Sequence, residues 1–259
     1  MNRRQLLLGG AAVGVVAAVS GVTWFETANR IPAEPRPLAL IYRGAASCSG
    51  CSESVAALLR SAPTKFRTEY CGPDEDRQIS PENLAEATVY VQPGGGQVSR
   101  TWRQLRDYSS HVRDFVDKGG TYLGFCLGAY LAAGDPGFGL LPGDVGQYID
   151  TPGASTDSDD DTVIPITWRG RQRHMYFQDG PLFRLNDGAP ATVLATYNTG
   201  APAAVVAAYG SGRVGVVGPH PEADHGWYRD AHLTNPDGIR FDLGYDFVET
   251  AVNGQLPTK

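Results

Sequence analysis

The sequence predicts an α/β fold with three layers: a central, mostly parallel sheet with helices on both faces. Three observations predict it. Short continuous apolar runs of strand length, such as Leu38-Ala39-Leu40-Ile41-Tyr42, alternate with stretches of helical spacing, and a strand buried on both faces reads as such a run. The resulting β-α-β-α-β order requires right-handed crossovers, which put helices on both faces. The residues able to carry chemistry gather just past the ends of the runs, where open parallel sheets bind ligands. These are Cys48, Cys51, Cys71, Gly94 to Gly96, Cys126 and His220.

The chain opens with an address. Arg3-Arg4 precedes an apolar stretch reaching about Phe25, broken only by Ser20 and Thr23. This pattern predicts a twin-arginine export signal or an uncleaved N-terminal anchor over residues 1–30. About twenty apolar residues also suffice to span a bilayer, and the positive-inside rule then puts the body outside the cytoplasm. Residues 31–37, with Pro32, Pro35 and Pro37, read as a linker. The remainder, 38–259, suits one domain, and the 42% hydrophobic content allows its core.

Within that domain the first strand, 38–42, runs into the loop Ala45-Ala46-Ser47-Cys48-Ser49-Gly50-Cys51. A helix follows, with Val55, Leu58 and Leu59 on its apolar face. Residues 66–71 read as a second strand. Ser80-Pro81-Glu82 has a cap residue followed by proline at the first helical position. The third strand, 87–92, ends in Pro93-Gly94-Gly95-Gly96. Residues 101–118 have helical spacing up to the Gly119-Gly120 stop. After the fourth strand the pattern turns to hairpins: strands at 162–168 and 171–177 around Arg169-Gly170, then strands at 191–197 and 203–209. The acidic run Asp157-Ser158-Asp159-Asp160-Asp161 lacks the glycine and final glutamate of a calcium loop and reads as a solvated turn. Residues 242–252 suit a closing helix.

The fourth strand carries the main motif. Gly120-Thr121-Tyr122-Leu123-Gly124-Phe125-Cys126-Leu127-Gly128-Ala129-Tyr130 passes from a strand-like run into a helical composition with Cys126 at the turn. A residue on a sharp strand-to-helix turn is presented to a ligand, and small neighbours make room for the strained backbone. The helix start also favours an anionic sulfur. About ninety residues later Arg213-Val214-Gly215-Val216-Val217-Gly218 reads as a buried strand that ends in Pro219-His220-Pro221-Glu222. A cysteine nucleophile needs a base, and the base needs a group that orients it. His220 and Glu222 supply both.

These residues resemble the class I glutamine amidotransferase fold, a flavodoxin-like arrangement whose triad is Cys-His-Glu. Gly119-Gly120-Thr121-Tyr122-Leu123-Gly124-Phe125-Cys126 with Tyr130, and Val91-Gln92-Pro93-Gly94-Gly95-Gly96, resemble more closely the biotin-protein ligase N-terminal domain family within that superfamily. The likeness spans roughly residues 37–253. It implies Cys126, His220 and Glu222 as the catalytic set and amides of Leu127 and of Gly95 or Gly96 as the oxyanion hole. It implies no metal and no organic cofactor. Glutamine-using members usually carry Gln four residues after the cysteine, where this chain has Tyr130. Tyr130, Gln178 and His225 are candidates for the substrate pocket.

The implied function is that of an exported amidotransferase-like hydrolase or transferase acting on a small-molecule or peptide amide, or a related carbonyl. A separate acceptor protein and the twin-arginine machinery are its expected partners. Two other classes fit the sequence. One is a non-catalytic binding module at the cell envelope, consistent with Tyr130 in place of Gln. The other is a thiol-disulfide protein using Cys48 and Cys51. In an oxidising compartment a disulfide is expected among Cys48, Cys51 and Cys71, as Cys48–Cys71 or Cys48–Cys51. Three thiols fall short of a closed zinc site. A net charge of -6 without a basic stripe excludes nucleic acid as the expected partner.

Overall fold

The computed structural model describes residues 36–255. The expected signal or anchor over 1–30 and most of the 31–37 linker lie outside the described residues. Among the described residues no helix is long and apolar enough to cross a membrane.

The element order is β1 (Leu38–Tyr42), α1 (Cys51–Ser61), β2 (Arg67–Cys71), α2 (Pro81–Ala85), β3 (Val89–Gln92), α3 (Val98–Leu105), α4 (Ser109–Asp117), β4 (Thr121–Phe125) and α5 (Leu127–Tyr130). There follow β5 (Gly143–Gln147), β6 (Thr162–Trp168), β7 (Arg171–Phe177), β8 (Pro181–Leu185), β9 (Ala191–Tyr197), β10 (Pro202–Tyr209), β11 (Gly212–Val217), α6 (His225–Asp230) and α7 (Asp242–Asn253). Nine strands form one sheet in the order β2-β1-β3-β4-β11-β10-β9-β6-β7. The half from β2 to β11 is parallel, and the half from β11 to β7 is antiparallel. The change of direction follows from the connections: short turns join β6 to β7, β9 to β10 and β10 to β11, and only antiparallel strands can be joined so tightly.

Side chains alternate across the parallel half, so the sheet has two cores. Ala39 and Ile41 of β1 face α1 and α7, packing with Val55, Leu58, Phe247 and Val248. Leu38, Leu40 and Tyr42 face the opposite layer, with Leu84, Leu105, Val112, Val116 and Leu127. This is the expected three-layer α/β arrangement. Ser80 caps α2 as its sequence predicts, its hydroxyl accepting from the Asn83 amide with Pro81 at the first position.

One expectation is corrected, and one ribbon is an addition to what the sequence predicts. The helix expected over 101–118 is two helices, α3 and α4, separated by a 3-10 turn over Arg106–Tyr108. Apolar spacing is nearly continuous through such a turn, so periodicity does not register it. Two short strands, β5 and β8, pair antiparallel as a separate ribbon; with Gly143, Gly146 and Pro181 in them, they lack the alternation that marks a strand.

The register of the parallel half aligns the carboxyl ends of four strands. Ile41 pairs with Val91, Gln92 with Gly124, and Phe125 with Val217. The segments beyond these ends are therefore neighbours at one edge of the sheet.

Candidate active site

Cys126 occupies the turn between β4 and α5 with φ 47° and ψ -103°. A non-glycine residue there stores on the order of 1–3 kcal/mol of backbone strain, and such strain persists only where the surroundings enforce it. They do so here. The Cys126 amide donates to the Val217 carbonyl at 2.9 Å, anchoring the turn to the end of β11. Tyr122 Oη donates to the Gly128 carbonyl at 2.7 Å, fixing α5 from below. The two flanking glycines are required by close backbone approach. A Cβ on Gly124 would collide with the Gly128 carbonyl, and one on Gly128 with the Gln92 carbonyl of β3. The thiol is buried with 8% exposure and lies 3.5 Å from the Gln178 carbonyl oxygen.

His220 and Glu222 follow β11. Their position is set by the His220 amide, which donates to the Tyr176 carbonyl of β7 at 2.8 Å. His220 Nδ1 lies 2.8 Å from Glu222 Oε1, and both side chains are buried. The other ring nitrogen, Nε2, and Glu222 Oε2 are buried without a hydrogen-bond partner. Burial works against a charge on the ring, but the adjacent Glu222 carboxylate and the Cys126 thiol outweigh it, and the imidazolium is favoured well above its ordinary range. Cys126 and the His220–Glu222 pair thus follow the adjacent carboxyl ends of β4 and β11, and all three are buried.

Aromatic walls hold the histidine. Tyr176 meets its ring edge-on at 6.0 Å between centroids, and Trp227 lies 5.1 Å away. Trp227 Nε1 also donates to Ser54 Oγ of α1 at 2.8 Å. The helix that positions Trp227, α6, begins at Asp224, whose carboxylate accepts from the Gly226 and Trp227 amides. His225 is exposed at the start of that helix, so Trp227 rather than His225 walls the cluster. The Asp224 cap was the available sequence signal for α6.

The loop of Gly94, Gly95 and Gly96 faces the elbow. A Cβ on Gly95 would meet Leu127 Cδ2 at 2.5 Å and Ala46 O at 3.3 Å, so the 44–47 loop and the first residue of α5 both press on it. Gln92, fully buried, ties this region down: its Nε2 donates to the Ala46 carbonyl at 2.9 Å and its Oε1 accepts from Tyr90 Oη at 3.0 Å. The first amides of α5, that of Leu127 among them, have no acceptor within the helix.

Tyr130 is half-buried, but its hydroxyl is sealed from solvent without a partner. Burial above all, with Asp179 nearby, holds the phenol well above its ordinary range. Asp179, at φ 45°, is itself held above the usual carboxylate range by burial, although Gln147 Nε2 donates to it at 3.2 Å. The Gln178 side chain is exposed; its backbone carbonyl is what approaches Cys126.

Of the expected disulfides the structure contains Cys48–Cys51, with Cα atoms 5.4 Å apart. Cys48–Cys71 does not form. Cys71 ends β2 as a buried free thiol, pushed up to about 12 chiefly by burial. Pairing of β1 with β2 brings Cys71 opposite Tyr42, short of the loop that carries Cys48.

A cysteine on a strained elbow and a buried His-Glu pair therefore lie at the carboxyl edge of the parallel half of an α/β sheet. Residues 39–141, from β1 through the elbow, match the family described as biotin-protein ligase, N terminal. Among solved structures, a cytoplasmic protein from Salmonella typhimurium is similar at 15% identity, over 86% of this chain and 100% of that one, with a TM-score of 0.50. A Thermoplasma acidophilum protein described as a component of GMP synthase is similar at 16% identity, over 85% of this chain and 98% of that one, with a TM-score of 0.49. No curated protein matches the chain.

Proposed function

We propose that this chain is an exported cysteine-nucleophile hydrolase or transferase that acts on an amide or a related carbonyl. The observation that carries the reading is the buried Nε2 of His220, left without a hydrogen-bond partner while Nδ1 is held by Glu222 and Cys126 is near enough to favour the charged ring. A ring fixed on one side by a carboxylate, with its second nitrogen free beside a thiol, is arranged for proton exchange with that thiol.

In this reading His220 takes the Cys126 proton, and the sulfur attacks the carbonyl carbon. The tetrahedral oxyanion receives the amide of Leu127 and an amide of Gly95 or Gly96. Loss of one such donor costs about 3–4 kcal/mol of transition-state stabilisation. The C–N bond breaks as His220 returns the proton to the leaving amine, which leaves a thioester on Cys126. Water, deprotonated by His220, or an amine acceptor then attacks the thioester and regenerates the thiol. Glu222 holds the ring orientation and its charged form. Tyr130 and Asp179 border the same space, and the phenol offers a hydrogen bond to substrate. Export is supported by Arg3-Arg4 and the apolar stretch behind them, and a disulfide suits an oxidising compartment.

The test is a panel of primary and secondary amides, glutamine first, followed by ammonia or amine release and by acid-quenched peptide mass spectrometry. Turnover, or an acyl adduct on Cys126 that is absent from Cys126→Ala, supports the reading. A panel that yields neither, with the folded state verified, counts against it.

A further inference from the structure

The Cys48–Cys51 disulfide lies beside the cluster just described, with one glycine between. A methyl group placed on Gly94 would stand 3.3 Å from His220 Cε1, 3.5 Å from Cys51 Sγ and 3.7 Å from Cys48 Sγ. The space beside the Gly94 Cα is therefore bordered by the histidine ring and both sulfurs. The Gly94 carbonyl also accepts from the Cys48 amide at 3.0 Å, so the disulfide loop and the glycine loop are joined through the backbone. A second link runs one turn along α1. Ser54 accepts from Trp227, whose ring walls His220. The two sulfurs differ in access: Cys48 is exposed, whereas Cys51, the first residue of the 11-residue α1, is 1% exposed.

We propose that Cys48–Cys51 is an exchangeable disulfide that clamps the 93–96 loop against the Cys126 site, and that a dithiol reductant opens the clamp. The reductant's thiolate attacks the exposed Cys48 sulfur. The bond between Cys48 and Cys51 breaks, and Cys51 leaves as a thiolate at the start of α1, where the helix dipole favours negative charge. The second thiol of the reductant attacks the mixed disulfide and releases Cys48. Two electrons pass to the pair, the reductant leaves as its own disulfide, and its two thiol protons end on Cys48 and Cys51. Unbonded, the exposed Cys48 sulfur can turn to solvent, and the Cys48 segment, whose amide holds the Gly94 carbonyl, is released with the oxyanion loop behind it. The consequence for catalysis rests on the function proposed above; the clamp itself does not.

The test uses the folded chain and a phosphine, which reduces disulfides without adding a competing thiol. Hydrogen exchange at residues 94–96 and the alkylation rate of Cys126 are read before and after reduction. They are read again in the Cys48→Ser, Cys51→Ser double variant without reductant. The proposal expects two new thiols in the folded chain, faster exchange at 94–96 by about tenfold, and slower Cys126 alkylation, with the double variant behaving like the reduced protein. A pair that resists reduction until the chain unfolds, or reduction that leaves loop exchange unchanged, overturns it. Faster loop exchange with a Cys126 rate that responds neither to reduction nor to His220→Ala upholds the clamp and counts against the catalytic reading instead.

Discussion

His220 Nδ1 stands 2.8 Å from Glu222 Oε1, two residues along the chain, and neither side chain reaches solvent beyond a 3% exposed histidine. Removal of one member leaves the other buried and uncompensated. His220→Ala is therefore expected to lower stability by about 3–5 kcal/mol, as for other broken buried pairs. Denaturant unfolding monitored by tryptophan fluorescence checks this. A loss below about 1 kcal/mol would show that the pair is not held as an ion pair.

The same pair gives a pH dependence with a defined sign. Burial opposes a charge on the ring, but Glu222 and Cys126 together raise the His220 pKa above the unfolded value of ~6.5. The stabilisation is thus fully present below that unfolded value and is lost as pH rises through the folded one. Glu222→Gln removes the main attractive charge. The stability gap between the parent and Glu222→Gln should be widest near about pH 6 and narrow toward about pH 10. A gap that widens with rising pH would contradict the assignment.

The elbow glycines act through space rather than through flexibility. A Cβ at Gly128 runs into the Gln92 backbone carbonyl, a backbone atom rather than the end of a flexible side chain. Gly128→Ala is expected to cost about 1–3 kcal/mol or more by overpacking and to slow Cys126 reactions further by displacing the turn. Gly96, where a Cβ meets nothing within 4 Å, is the control: Gly96→Ala should be close to neutral for stability.

Two free thiols differ by environment. Cys71 is fully buried and pushed up to about 12, whereas Cys126 keeps 8% exposure at the sheet edge. Without reductant, an alkylating reagent at neutral pH should modify Cys126 and spare Cys71, with Cys48 and Cys51 protected by their bond. Peptide mass spectrometry reads the outcome directly; rapid Cys71 labelling in the folded chain would contradict the packing of β2.

The proposal of export rests on the first residues alone. Arg3→Lys with Arg4→Lys should leave the full-length protein inside the cell while leaving its fold unchanged. Fractionation of cells that express both forms checks this. Equal export of the two would remove the twin-arginine assignment.

Much of this fold was legible because its parallel half obeys local rules. The run 38–42 is apolar on both faces, and Ser80-Pro81 announces α2. Cys126 between Gly124 and Gly128 marks the elbow because backbone crowding leaves no other residue at those flanks. What was missed depends on distant partners. The 3-10 turn over Arg106–Tyr108 leaves the apolar spacing nearly intact. Strands β5 and β8 exist through their pairing with one another. Choosing Cys51 over Cys71 as the partner of Cys48 required the strand register, since Cys71 stops opposite Tyr42.

The most direct measurement is the rate of Cys126 alkylation at neutral pH in the folded parent, His220→Ala and Glu222→Gln. If His220 serves the thiol and Glu222 serves His220, the parent reacts fastest, Glu222→Gln falls, and His220→Ala falls by about a hundredfold, the lower end of general-base contributions. Equal rates in all three folded proteins would show a buried thiol that happens to lie near a histidine, and would contradict the catalytic account.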